Sequence, residues 1–176
     1  MFMKTEMRKT IEYWTAFAKK PVDILIERKA YYKEVNAKNI LAYIGVRRCG
    51  KTVIAVTCGG NLEERMFYMN FEDPFFVTHD NVDVLEKLVD MFVEIYGREP
   101  GLLVFDEIHN IKNWERWARK TVESRRYKMI LTGSSSQMLA SDVSTALTGR
   151  CLKQLVWPLS FKEWLGLFSK KAATEY

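Results

Sequence analysis

No run of apolar residues in the 176-residue chain approaches the ~20 needed to cross a bilayer as a helix. The amino terminus, MFMKTEMRKTIEYW, carries Lys4, Glu6, Arg8 and Lys9 and lacks an apolar h-region, so it does not read as a signal peptide. Cysteine is scarce. Cys49, Cys58 and Cys151 are odd in number and too scattered for a metal knuckle, which fits a reducing compartment. Internal repeats, low-complexity tracts and linker-like stretches are missing too. These absences argue against membrane-spanning, disulfide-stapled and disordered classes, and set the expectation of a cytoplasmic protein with no membrane partner.

What is present is an ordinary globular composition, 48% hydrophobic and 28% charged, in one domain's length of chain. Lys and Arg outnumber Asp and Glu by 27 to 22. That mild excess permits an anionic partner without requiring one. Much of it lies in 112–128, where Lys112, Arg116, Arg119, Lys120, Arg125, Arg126 and Lys128 face only Glu115 and Glu123. A solvated helix face and a nucleic-acid-binding face both fit this stretch.

Spacing divides the chain into alternating elements. Met7, Ile11, Trp14 and Ala18 repeat as one face of a helix, Pro21 interrupts, and a mixed helical segment is expected to about Val35. This N-terminal segment, 1–37, is expected to pack on a core spanning 38–176. Strands are expected at 39–46, 65–71, 101–108, 128–133 and 151–157. Between them lie a short helix ended by Gly59-Gly60 and a helix from Asn81 to Tyr96, capped by Asp80 and stopped by Gly97. Two more follow, one over about 113–126 that buries Trp114, Trp117, Ala118, Thr121 and Val122, and one over 136–147. Ser160 and Glu163 form a capping box for a last helix. Strands alternating with helices give an α/β class, three layers with a five-stranded parallel sheet.

Between the first strand and the next helix stands GVRRCGKT, which matches G-x-x-x-x-G-K-[ST] at Gly45, Gly50, Lys51 and Thr52. The glycines let successive N–H groups turn inward as an anion nest, and the loop opens a helix whose positive end faces the same anion. Lys51 suits the β- and γ-phosphates, and the Thr52 hydroxyl suits Mg2+. The contact set runs from Gly45 through Arg47, Arg48, Cys49 and Gly50 to Val53. Arg47 and Arg48 have three possible settings: phosphate, Glu72 and Asp73, or solvent. Cys49 reads as a small filler. Downstream, LLVFDE ends a strand in two acids. Asp106 is placed to hold Mg2+, and Glu107 to polarise an attacking water as general base.

GVRRCGKT, NFEDP, LLVFDEIHNIKNWERW, ILTGSSS, LTGR and PLSFKEW together resemble a family of prokaryotic AAA+-type P-loop ATPases (AAA-14-like) abundant in archaea. The resemblance spans about 38–166. It implies a sheet in the order 5-1-4-3-2, nucleotide at the strands' carboxyl ends, ATP or ADP with Mg2+ as cofactors, and ATP hydrolysis. It also implies a γ-phosphate sensor at Ser134, with Thr132 as competitor. Arg150 would serve a neighbouring subunit's nucleotide or the chain's own. Two departures stand out: a helix after the loop with room for only two turns, and a chain that ends at Tyr176, before the family's helical lid and C-terminal domain. Slow hydrolysis is therefore expected. The alternatives are a nucleotide-dependent switch read by a protein partner, a nucleic-acid-binding or remodelling module, and an inactive fragment of a longer ATPase; a protein partner and self-association both stay open.

Overall fold

The computed structural model describes residues 2–20, 26, 28–62, 65–138 and 146–166. Five apolar runs form β1 (Ile40–Ile44), β2 (Met66–Asn70), β3 (Leu102–Asp106), β4 (Lys128–Gly133) and β5 (Cys151–Leu155). All pair in parallel, in the order β2-β3-β4-β1-β5. This is the expected 5-1-4-3-2 read from the other edge. β1 and β3 are buried at every position, as strands covered on both faces must be.

Among the described residues the helices are α1 (Phe2–Lys19), α2 (Lys51–Leu62), α3 (Asp83–Tyr96), α4 (Trp114–Ser124) and the short α5 (Ser135–Met138), and 161–166 are helical too. Side chains alternate across each strand and so feed two cores. On one face, Leu103 and Phe105 of β3 meet Met7 and Ile11 of α1, Leu88 and Phe92 of α3, and Trp117 of α4. On the other, Leu102 and Val104 meet Ile54, Ala55 and Cys58 of α2. The five residues that α4 was expected to bury are the five it buries.

Three local expectations need correction. α2 does not end at Gly59-Gly60 but runs three turns to Leu62. Gly59 is there for closeness: a Cβ on it would stand 2.6 Å from Met66 Sδ and 2.9 Å from Val104 Cγ2. The segment leading to Val35 is not a second helix among the described residues. A single 3-10 turn, Lys29–Tyr31, gives way to irregular chain that tucks Val35 into the α2-side core. The cap of α3 is not Asp80, which pairs with Lys112 at 2.7 Å; the Asn81 side chain accepts from the Asp83 N–H instead. The helix expected over 136–147 is described only as α5, and 139–145 lie outside the described residues. Ser160 and Glu163 do close a capping box in both directions.

Candidate functional site

β1 ends at Ile44, and the chain turns at once into the loop that delivers α2. Gly45 has no room for a side chain, since a Cβ would stand 2.3 Å from the Val156 carbonyl oxygen. Gly50 takes φ +95, in the left-handed region that glycine tolerates. Arg48 takes φ 65 with a side chain, at a cost of about 1–2 kcal/mol. Lys51 turns inward and is 4% exposed. Its Nζ donates to the carbonyls of Gly45 at 3.2 Å and Val46 at 3.3 Å, and pairs with Glu107 Oε1 at 3.3 Å. Cys49 is buried as a filler, and Arg47 leans on Glu72 at 3.2 Å. Arg48 and Val53 face outward.

Strand parity assembles the other half. Tyr68 of β2, Asp106 of β3 and Thr132 of β4 all project toward α2, on the same face as Val104 and Ile130. Asp106 Oδ2 accepts from the Thr52 hydroxyl at 2.8 Å and from the Tyr68 hydroxyl at 3.0 Å. The Thr132 hydroxyl donates to Oδ1, and its oxygen accepts the Glu107 N–H at 3.0 Å. Burial pushes the Asp106 carboxyl above the ordinary range, and hydrogen bonds from Thr132, Thr52 and Tyr68 pull it back only in part. A buried carboxylate beside a hydroxyl, still in want of positive charge, suits a hard divalent cation. Among the described residues no group of three or more His, Cys, Asp or Glu is placed to hold a metal ion. A cation beside Asp106 would rest on that carboxylate and the Thr52 hydroxyl, with its other ligands from outside the chain.

Glu107 leaves the strand at φ 52, and its carboxylate sits between Lys51 and His109, whose Nδ1 is 3.4 Å from Oε2. Burial holds the imidazole below its usual range, with Glu107 pulling the other way. Nδ1 has no hydrogen-bond partner and makes only a contact with Glu107. A cleft of about 500 Å3 lies alongside, lined by Arg47, Glu72, Asp73 and Asn110. Asn110 donates its side-chain amide to the Glu107 carbonyl.

The structure thus brings Lys51, Thr52, Asp106, Glu107 and Thr132 together. Ser134 lies just past β4, its hydroxyl 3.4 Å from that of Ser136. Arg150 is not brought in. It precedes β5 at the strands' amino ends, about 15 Å from the loop by strand rise, and pairs with Glu123 at 2.9 Å. On the basic stretch, Lys112, Arg119 and Arg126 hold Asp80, Glu123 and Glu99. Sequence reasoning missed Tyr68 and His109. Tyr68 carries the one hydroxyl in an apolar strand and stands two residues before the position that pairs with Asp106; His109 follows the paired acids by two.

The model of an AAA domain, AAA-14, matches residues 37–165, most of the chain. The chain belongs to this AAA family. An uncharacterized protein of Methanocaldococcus jannaschii is 32% identical over 149 residues, covering 82% of this chain and 33% of the relative. One from Haemophilus influenzae is 26% identical over 151 residues, covering 80% and 38%. This AAA chain therefore spans about a third of the length of the curated relatives it matches. The crystal structure of Cdc6p from Pyrobaculum aerophilum superposes with a TM-score of 0.55 at 12% identity, over 77% of this chain and 43% of that one. That likeness is one of fold. No described helix is long and apolar enough to cross a membrane.

Proposed function

We propose that the chain binds ATP with Mg2+ and hydrolyses it slowly to ADP and phosphate. The observation that carries this reading is the convergence of Lys51, Thr52, Asp106 and Glu107 where two parallel strands end beside the loop that opens α2. Backbone N–H groups from Gly45 to Val53 would cradle the phosphates, and Lys51 would exchange its two carbonyl partners for phosphate oxygens. Bound Mg2+, held by Thr52 and Asp106, would add positive charge against those oxygens. Glu107 would take a proton from the attacking water.

Thr132 positions both acids. Ser134 would sense the γ-phosphate, a role that its position just past β4 supports. For Arg150, acting on a neighbouring copy's nucleotide is the role that its place at the far end of the sheet leaves to propose. Slowness follows from the ground state: Glu107 must first leave Lys51 to work as a base. Nucleic acid stays outside the proposal, because three of the basic side chains on 112–128 already hold acids. A second reading, a nucleotide-dependent switch for a protein partner or a second copy, draws on the exposed Trp157, Phe161, Trp164 and Leu165 beyond β5.

Calorimetric titration with Mg-ATP, followed by turnover assays, tests the proposal. Wild type should bind and turn over below about 1 s⁻¹, the low end for competent enzymes. Glu107→Gln should bind without turnover, and Lys51→Ala should not bind. Faster turnover would remove the claim of slowness; no binding by wild type would remove the site.

A further inference from the structure

Arg28 lies before the sheet begins, yet its side chain is 8% exposed. Its Nε donates to Glu163 Oε1 at 2.8 Å. One terminal nitrogen, Nη1, donates to two carbonyls, those of Cys49 at 3.1 Å and Trp157 at 2.9 Å. The other, Nη2, donates to the Tyr31 hydroxyl at 3.2 Å, and reaches the Pro158 carbonyl and Glu163 Oε2 at 3.5 Å. The guanidinium also rests on the Tyr31 ring, 4.5 Å from its centroid. Every nitrogen has an acceptor, so this is a satisfied buried cation joining three distant pieces of chain.

The contact with Cys49 has a geometric consequence. In a trans peptide the carbonyl and the following N–H point in opposite directions. With the Cys49 carbonyl held on Arg28, the Gly50 N–H must point away from it. Turning this peptide over changes ψ of Cys49 and φ of Gly50, and Gly50, which sits at φ 95, accepts either setting. Something outside the loop therefore has to choose the setting. Arg28 occupies that place.

We propose that Arg28 is a positioning residue of the phosphate loop: by holding the Cys49 carbonyl outward it presets the Gly50 N–H for an anion, and through Trp157 and Glu163 it ties that setting to the segment beyond β5. The inference rests on reading the loop as a nucleotide site, and it adds a route from that site to the exposed apolar side chains at 157–165. The route is short. The Val156 N–H already bonds Ile44 O at 2.7 Å, and the Trp157 N–H donates to the same Tyr31 hydroxyl that Arg28 reaches.

The test compares binding of Mg-ATP and of Mg-tripolyphosphate, which has no base or sugar, to wild type, Arg28→Ala and Arg28→Lys. Hydrogen exchange at 157–163 is followed alongside. Both variants should lose affinity for both ligands to the same degree, by about tenfold or more, as losing a charged group's hydrogen bond to the loop implies. Arg28→Lys guards against misfolding, since it keeps a cation for Glu163 but cannot hold the two carbonyls as a planar fork does. Ligand should protect 157–163 in wild type and not in the variants. Folded variants that bind both ligands like wild type would overturn the inference and leave the nucleotide site standing. A loss for ATP alone would also overturn it, placing Arg28 on base or sugar. Failure of wild type to bind either ligand would remove the site reading, and the inference with it.

Discussion

Leu103 and Leu152 are leucines on parallel strands of one sheet, yet the first is fully buried and the second 53% exposed. β3 lies between two strands and under two layers of helix. β5 has β1 on one side, and most of its positions are open. The contrast shows where reaction geometry can be held. The paired acids grow from the strand whose neighbours leave it no freedom, and both carboxylate oxygens of Asp106 are anchored to hydroxyls from other elements. The other edge has little cover and depends on single ties, of which Arg28 is the chief.

The largest expected effect separates the two strands outright. Leu103→Ala should cost about 2–5 kcal/mol in chemical denaturation, because it opens a cavity in a packed core. Leu152→Ala should stay within about 0.5 kcal/mol. Similar losses at the two positions would break the comparison.

Next come two glycines at opposite ends of the loop and its helix. Gly45→Ala drives a Cβ into the Val156 backbone and should cost about 1–3 kcal/mol, together with the response to nucleotide. Gly60→Ala meets nothing within 4 Å and lies inside α2, so it should raise stability by about 0.5–1 kcal/mol. Unfolding midpoints of the two variants check both signs. A harmless Gly45→Ala would mean that the loop and the β5 exit can separate freely.

The smallest effect concerns the tie itself. The Ser160 backbone N–H, then its hydroxyl and Arg28, hold the Glu163 carboxyl below the usual glutamate range. A lowered folded-state value means stability that is present above the unfolded value and lost as pH falls through the folded one. The gap in unfolding midpoint between wild type and Glu163→Gln at pH 7 should therefore begin to narrow below about pH 4 and keep narrowing with further acid. A gap that does not narrow with acid would show that charge on Glu163 is not what holds the segment.

Much of this was legible in the sequence, for reasons that also explain the misses. Strands buried on both faces are continuous apolar runs, so β1 to β4 are marked by composition alone. Lys51, Thr52, Asp106 and Glu107 belong to motifs whose parts lie next to one another in the chain. Gly59 misled because its purpose, close approach to Met66 and Val104, exists only once β2 and β3 are in place. Tyr68 and Arg28 were invisible for the same reason. Each acts through a partner 38 and 21 residues away, respectively, and no local pattern announces such a contact. For Arg150 the sequence left two settings open, and the parallel register, which sends it to the amino end of the sheet, takes it away from the chain's own loop.

The central claim is that the loop and the paired acids form a working nucleotide site. Thermal unfolding with and without Mg-ATP, for wild type, Lys51→Ala and Glu107→Gln, tests it most directly. At a hundred times its dissociation constant the ligand should stabilise wild type and Glu107→Gln by about 2.7 kcal/mol, a shift of several degrees. Lys51→Ala should not move. An unmoved midpoint in all three proteins, or an equal shift in Lys51→Ala, would contradict the account.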